Sequence, residues 1–161
     1  MLKFFRKGFT LIEIIVVIVI IAVLMAIAVP SLMSYMNEGK KAKYYAVSRS
    51  AYTNMTVEIS KLEADNSNYP NLGAACKGVI EKVNNSSSDD LKIIAFSISY
   101  DDGLIFQPRL ATIGNTKNPL QSNQTVDHIK SIHYYFGTSE GVYSAYTTIY
   151  PNKKVEYHSL K

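Results

Sequence analysis

An α+β fold is predicted: one long N-terminal helix, part membrane-spanning and part amphipathic, packed on a four- or five-stranded, largely antiparallel sheet. Three observations predict it. Phe9–Val29 is almost wholly apolar, apolar residues then recur at spacings of three and four as far as Leu62, and beyond Lys92 the period changes to two.

The apolar run comes first. Phe9–Val29 is 21 residues, 15 of them Leu, Ile, Val or Phe, with Thr10 and Glu13 as its polar members. As a helix it spans roughly 30 Å, the thickness of a bilayer's hydrocarbon core. The apolar side chains favour insertion by roughly 0.3–0.6 kcal/mol each and outweigh the roughly 2.5–3.5 kcal/mol opposed by one acid. Lys3, Arg6 and Lys7 abut this run, whereas Lys40, Lys41 and Lys43 lie some ten residues beyond it beside Glu38. That asymmetry favours a cytoplasmic N-terminus and an external C-terminal domain. A cleavable secretory signal has a shorter apolar region, and the A-x-A-like site Ala26-Ile27-Ala28 would discard the whole segment.

Past Pro30, the residues Leu32, Tyr35, Met36, Ala42, Tyr45, Ala46, Tyr52, Met55, Ile59 and Leu62 form one apolar stripe. Glu38, Lys40, Lys41, Lys43, Arg49 and Glu58 take the opposite face. A helix from Phe9 to about Leu62 would measure roughly 80 Å. Glu63–Pro70 reads as a polar loop, and Leu72–Val83 as a short helix with Ala75, Val79, Ile80 and Val83 on one side. Lys92–Tyr100 then alternates, placing Ile94, Phe96, Ile98 and Tyr100 together. Asp101-Asp102-Gly103 signals a hairpin into a strand carrying Leu104, Phe106 and Pro108. After a polar loop over Thr112–Thr125, Ile129–Phe136, Val142–Tyr150 and Lys153–His158 read as further strands. The expected organisation is residues 1–8 as a leader, 9–29 as the membrane segment, 30–62 as its amphipathic continuation and 63–161 as a head with a connector loop.

Composition narrows the function. The net charge is +4, but without Lys3, Arg6 and Lys7 it falls to +1, from 14 basic against 13 acidic residues. The basic balance belongs to the leader and gives little support for nucleic-acid binding. Cys76 is the single cysteine, so no intrachain disulfide forms. His128, His133 and His158 have no metal-ligand spacing, and no phosphate loop, Ser-His-Asp order or carboxylate pair stands out. Neither an enzyme nor a bound metal or cofactor is expected. Tyr134, Tyr135, Tyr143, Tyr146, Tyr150 and Tyr157 crowd the strands, where packing and cross-strand pairing are the ordinary use of tyrosine.

Lys7-Gly8-Phe9-Thr10-Leu11-Ile12-Glu13 resembles the class III signal peptide of type IV prepilins and pseudopilins: a short basic leader ending in Gly, then Phe-Thr-Leu-Ile-Glu, then an apolar helix. Pro30 falls where pilin helices commonly carry a proline. Ala22 departs from the pattern, since many pilins have a glycine there. The match covers about 30 of 161 residues.

That resemblance implies cleavage after Gly8 by a prepilin peptidase and N-methylation of Phe9. It implies pairing of Glu13 with the Phe9 amine of a neighbouring subunit, and a kink at Pro30 in a helix that continues. The implied product is a structural subunit of an extracellular type IV pilus, a homopolymer built from a membrane-held precursor. Its partners would be the peptidase, an assembly ATPase, an inner-membrane platform protein and minor pilins. The alternative is a minor pilin or competence-type pseudopilin that initiates a filament or binds DNA.

Overall fold

The computed structural model describes residues 8–64, 72–88, 91–107, 124–139 and 142–160. The chain divides into two compact units, Met1–Lys40 and Lys41–Lys161. Helix α1, Leu11–Ala64, begins in the first unit and ends in the second.

In the first unit α1 carries its apolar residues all round. Its most apolar stretch of 18 residues has a mean hydropathy of 3.3, and none of it is buried within the chain. Length and composition suit it to cross a bilayer. The helix continues through Pro30, which lies inside it. Proline has no N–H, so the carbonyl of Ala26 loses its usual helical partner there. Leu32, Tyr35 and Met36, the start of the expected stripe, are exposed.

The second unit packs the rest of α1 and a second helix, α2 (Leu72–Asn85), on a five-stranded sheet. The strands are β1 (Ile93–Tyr100), β2 (Ile105–Phe106), β3 (Ile129–Ser139), β4 (Val142–Ile149) and β5 (Val155–Ser159). They lie in the order β2-β1-β3-β4-β5, and every neighbouring pair is antiparallel. The core gathers Ala51, Met55 and Ile59 from α1, Leu72, Cys76 and Ile80 from α2, and Phe96, Ile98, Ile132, Tyr134, Phe136 and Ile149 from the sheet. Tyr44 of α1 meets Phe136 edge-on at 4.8 Å and lies 5.1 Å from the Tyr157 ring.

The buried line on α1 differs from the expected one. Ala42 and Ala46 are exposed and Tyr45 is only half-buried. The line runs instead through Tyr44, Val47, Ser48, Ala51, Tyr52, Met55, Ile59 and Leu62. Ser48 breaks the apolar pattern yet is fully buried, because its hydroxyl meets Thr147 Oγ1 at 2.6 Å and donates to the Tyr44 carbonyl at 2.7 Å.

Two further positions shift by one residue. On α2 the inward residue is Cys76 rather than Ala75. On β1, Ile93 pairs with Phe136 and Ala95 with Tyr135, so Ile94 is the extra residue of a bulge. The bulge puts Ile93 in the core with Phe96 and leaves Ile94 half-exposed. Its methyl end lies over Gly137: a Cβ there would collide with the Val142 carbonyl oxygen and come within 2.7 Å of Ile94 Cδ1. Asn84 secures the same corner, its amide exchanging two 2.8 Å bonds with the backbone of Ile93.

Strand β2 is shorter than expected, and Pro108 lies outside the described residues, as do 65–70 of the first expected loop and 112–123 of the second. The part described next to β3 is a 3₁₀ turn, Val126–His128, whose first N–H donates to Glu63 Oε1 at 2.6 Å.

Candidate functional site

The residues singled out for processing and assembly stand at the start of α1. Gly8, Phe9 and Thr10 precede the helix and are exposed. A Cβ added at Gly8 would meet nothing within 4 Å. No packing among the described residues therefore demands glycine there. Phe9 is 82% exposed, so its ring has no pocket of its own either.

Thr10 opens the helix. Its carbonyl accepts from the Ile14 N–H at 3.4 Å, and its Oγ1 accepts from the Glu13 N–H at 3.4 Å. Glu13 returns the interaction: its Oε2 accepts from the Thr10 N–H and from the Thr10 hydroxyl, each at 2.8 Å. This is a capping box, in which a Thr and an acid three residues later satisfy each other's orphan N–H groups. Both contacts fall on Oε2. Thr10 is part of the signal motif, and the Thr-x-x-Glu spacing at a helix start carries this meaning on its own. Pro30 is about five turns further along the same helix and shares no site with Glu13.

The sheet tyrosines divide by strand alternation. Tyr134 is fully buried, with its hydroxyl 3.8 Å from Met55 Sδ. Tyr135, Tyr143 and Tyr146 lie on the face turned away from the core, where the Tyr135 ring meets those of Tyr143 and Tyr146 at a tilt, with centroids 5.2 and 5.7 Å away. Tyr146 continues into His158, stacked at 4.4 Å and 11°. His133 joins the same face, 3.1 Å from Thr148 Oγ1 and 3.3 Å from Ser131 Oγ. Burial, with the charge of His158 behind it, holds the His133 imidazole below its ordinary value of 6.5. Cys76 lies in the core, and burial pushes its thiol up to about 12. It is a packed apolar side chain rather than a nucleophile. Among the described residues no three His, Cys, Asp or Glu side chains gather as a metal site.

Residues 4–29 match the family model for the prokaryotic N-terminal methylation motif. That motif is typical of type IV prepilin leaders, and it spans Gly8, Phe9, Glu13 and the apolar segment described above. With the long apolar helix behind it, the motif supports a type IV pilin-like or pseudopilin protein. No curated protein and no solved structure matches the chain.

Proposed function

We propose that this protein is a structural subunit of an extracellular type IV pilus. In this reading it is cleaved between Gly8 and Phe9, methylated at Phe9 and polymerised through α1. The observation that carries the proposal is the state of the first unit of α1: the motif leads directly into a helix whose apolar side chains are left exposed among the described residues. Ile27 is 73% exposed and Leu24 61%. Each such side chain forfeits on the order of 1.5–3 kcal/mol if left in water, so the segment needs another apolar solvent. Lipid serves before assembly, and the helices of neighbouring copies serve in a filament. Moving from one to the other needs external work, which is the role of an assembly ATPase acting through a membrane platform.

In this account the protein has no active site. Gly8 is required by the peptidase rather than by the fold, in keeping with the empty space around it. Glu13 acts twice. Through Oε2 it caps its own helix, and its charge neutralises the Phe9 amine of the next subunit. The N-terminus stays on the cytoplasmic side of the membrane until the subunit is extracted, and the head faces outward.

Substitution separates the two roles of Glu13. Glu13→Gln keeps an acceptor for Thr10 but loses the charge. If pairing with the amine drives assembly, Glu13→Gln and Glu13→Ala should both be cleaved normally and both yield few fibres by electron microscopy. Abundant fibres from Glu13→Gln would reduce the acid to a helix cap and defeat the pairing mechanism.

A further inference from the structure

The second unit contains two hairpins with the same turn. In the β1–β2 turn the Gly103 N–H donates to the Tyr100 carbonyl and the Tyr100 N–H to Leu104, while Asp102 Oδ1 accepts from the Leu104 N–H. In the β4–β5 turn the Lys153 N–H donates to the Tyr150 carbonyl and the Tyr150 N–H to Lys154, while Asn152 Oδ1 accepts from the Lys154 N–H. Both place the third turn residue in the left-handed region, Gly103 at φ 85° and Lys153 at φ 62°. Glycine adopts that conformation freely, and lysine does so only under strain. The chain uses glycine in one copy of the turn and lysine in the other.

The lysine sits beside an open surface cavity, whose Arg49, Thr53, Asn152 and Lys153 are all exposed. Arg49, Tyr52 and Thr53, adjacent on one face of α1, line about 480 Å³ of space together with Ile149, Asn152 and Lys153. Among the described residues two cations border it and no acid does. Lys154, the next residue, is held at 2.7 Å by Glu156, whereas Arg49 and Lys153 have no ion pair among the described residues. Asn152 has committed its oxygen to the turn, which leaves its amide N–H groups to donate. Arg49, Lys153, Asn152 and the Thr53 hydroxyl thus offer donors from a helix on one side and a turn on the other.

We propose that this cavity is a binding site for the phosphate group of a small soluble phosphate monoester. Paired cations and neutral donors arriving from two elements suit an oxyanion with several oxygens. The space exceeds what a bare phosphate fills and leaves room for its organic part. The strain at Lys153 is the local sacrifice that brings a second charge to the site. The site goes beyond the filament role, and its test does not depend on assembly.

The test titrates the mature full-length chain in maltoside micelles with inorganic phosphate and with glycerol 3-phosphate, following backbone amide shifts at Arg49 and Lys153 by NMR. Both ligands should saturate, and acetate at equal ionic strength should bind at least tenfold more weakly. Arg49→Gln and Lys153→Gly should each weaken phosphate binding at least tenfold, while Lys154→Gln stays within twofold of the parent. Lys153→Gly also relieves the turn, so its melting temperature should equal or exceed that of the parent. Loss of binding with retained stability is something a merely structural lysine would not give. Equal responses to phosphate, acetate and chloride would overturn the site, as would full binding by either charge-removing variant. A response confined to vesicles containing phosphatidic acid would overturn the soluble-ester assignment.

Discussion

The buried contact between Ser48 and Thr147 fixes α1 to β4, and its hydrogen order determines what each substitution should do. Ser48 has one hydroxyl proton, and the structure directs it to the Tyr44 carbonyl at 2.7 Å. The 2.6 Å contact with Thr147 is then made by the Thr147 hydroxyl donating to Ser48 Oγ. Both side chains are fully buried. Ser48→Ala therefore strands the Thr147 donor in an apolar interior, which should cost about 1–3 kcal/mol. Thr147→Val keeps the shape and leaves Ser48 bonded to Tyr44, so its cost should be about 0.5–1.5 kcal/mol. The double variant removes the donor as well as its acceptor and should be less destabilised than the sum of the singles, by about 1 kcal/mol. Thermal melts of a chain truncated to begin at Ser31, followed by near-ultraviolet circular dichroism of its tyrosines, would read these as shifts of about 3–5 °C per kcal/mol. Strict additivity, or a Thr147→Val variant weaker than Ser48→Ala, would refute the hydrogen order and the anchoring role assigned to the pair.

Other expectations follow from the same packing. The chain truncated to begin at Ser31 should be folded and monomeric, because the core of the second unit draws on residues from Tyr44 onward; a random-coil circular dichroism spectrum would contradict the core assignment. Gly137→Ala should destabilise by about 1–3 kcal/mol, since the new methyl meets the Val142 backbone and Ile94 together, and an unchanged urea midpoint would contradict it. For His133 the folded-state value is depressed, so the unfolded chain takes up a proton first as the pH falls. Stability should therefore be full above about pH 6.5 and decline as the pH falls from there toward the folded-state value. His133→Gln should flatten that slope, and an unaltered slope would reassign it. The Cys76 thiol, buried and far from ionised at neutral pH, should resist iodoacetamide until urea opens the head; rapid labelling of the native chain would place it elsewhere.

The long helix, the change of period after Lys92 and the hairpin at Asp101–Gly103 were legible because each follows from local pattern: uniform apolarity, alternation and turn chemistry. The phase of the buried line on α1 was not. Hydropathy ranks Ser48 as a surface residue, and only a partner 99 positions away makes its burial favourable. The bulge at Ile94 was hidden for a similar reason, since alternation counts positions along one strand and cannot see that Phe136 and Tyr135 on β3 face Ile93 and Ala95. At the N-terminus the motif around Gly8, Phe9 and Glu13 is legible in the sequence, and so is the capping role of Thr10 in its Thr-x-x-Glu spacing. Arg49 and Lys153 could not be joined from sequence, because the β4–β5 hairpin brings residues 104 positions apart to one cavity.

In the proposed function the chain is processed at Gly8 and reaches the cell surface as an assembled subunit. Its most direct test is mass spectrometry of the N-terminal peptide from fibres sheared off intact cells. The expected result is a chain beginning at Phe9 and carrying a methyl group on its amine. An intact Met1 terminus, or a start near Val29 that discards the apolar segment, would contradict it.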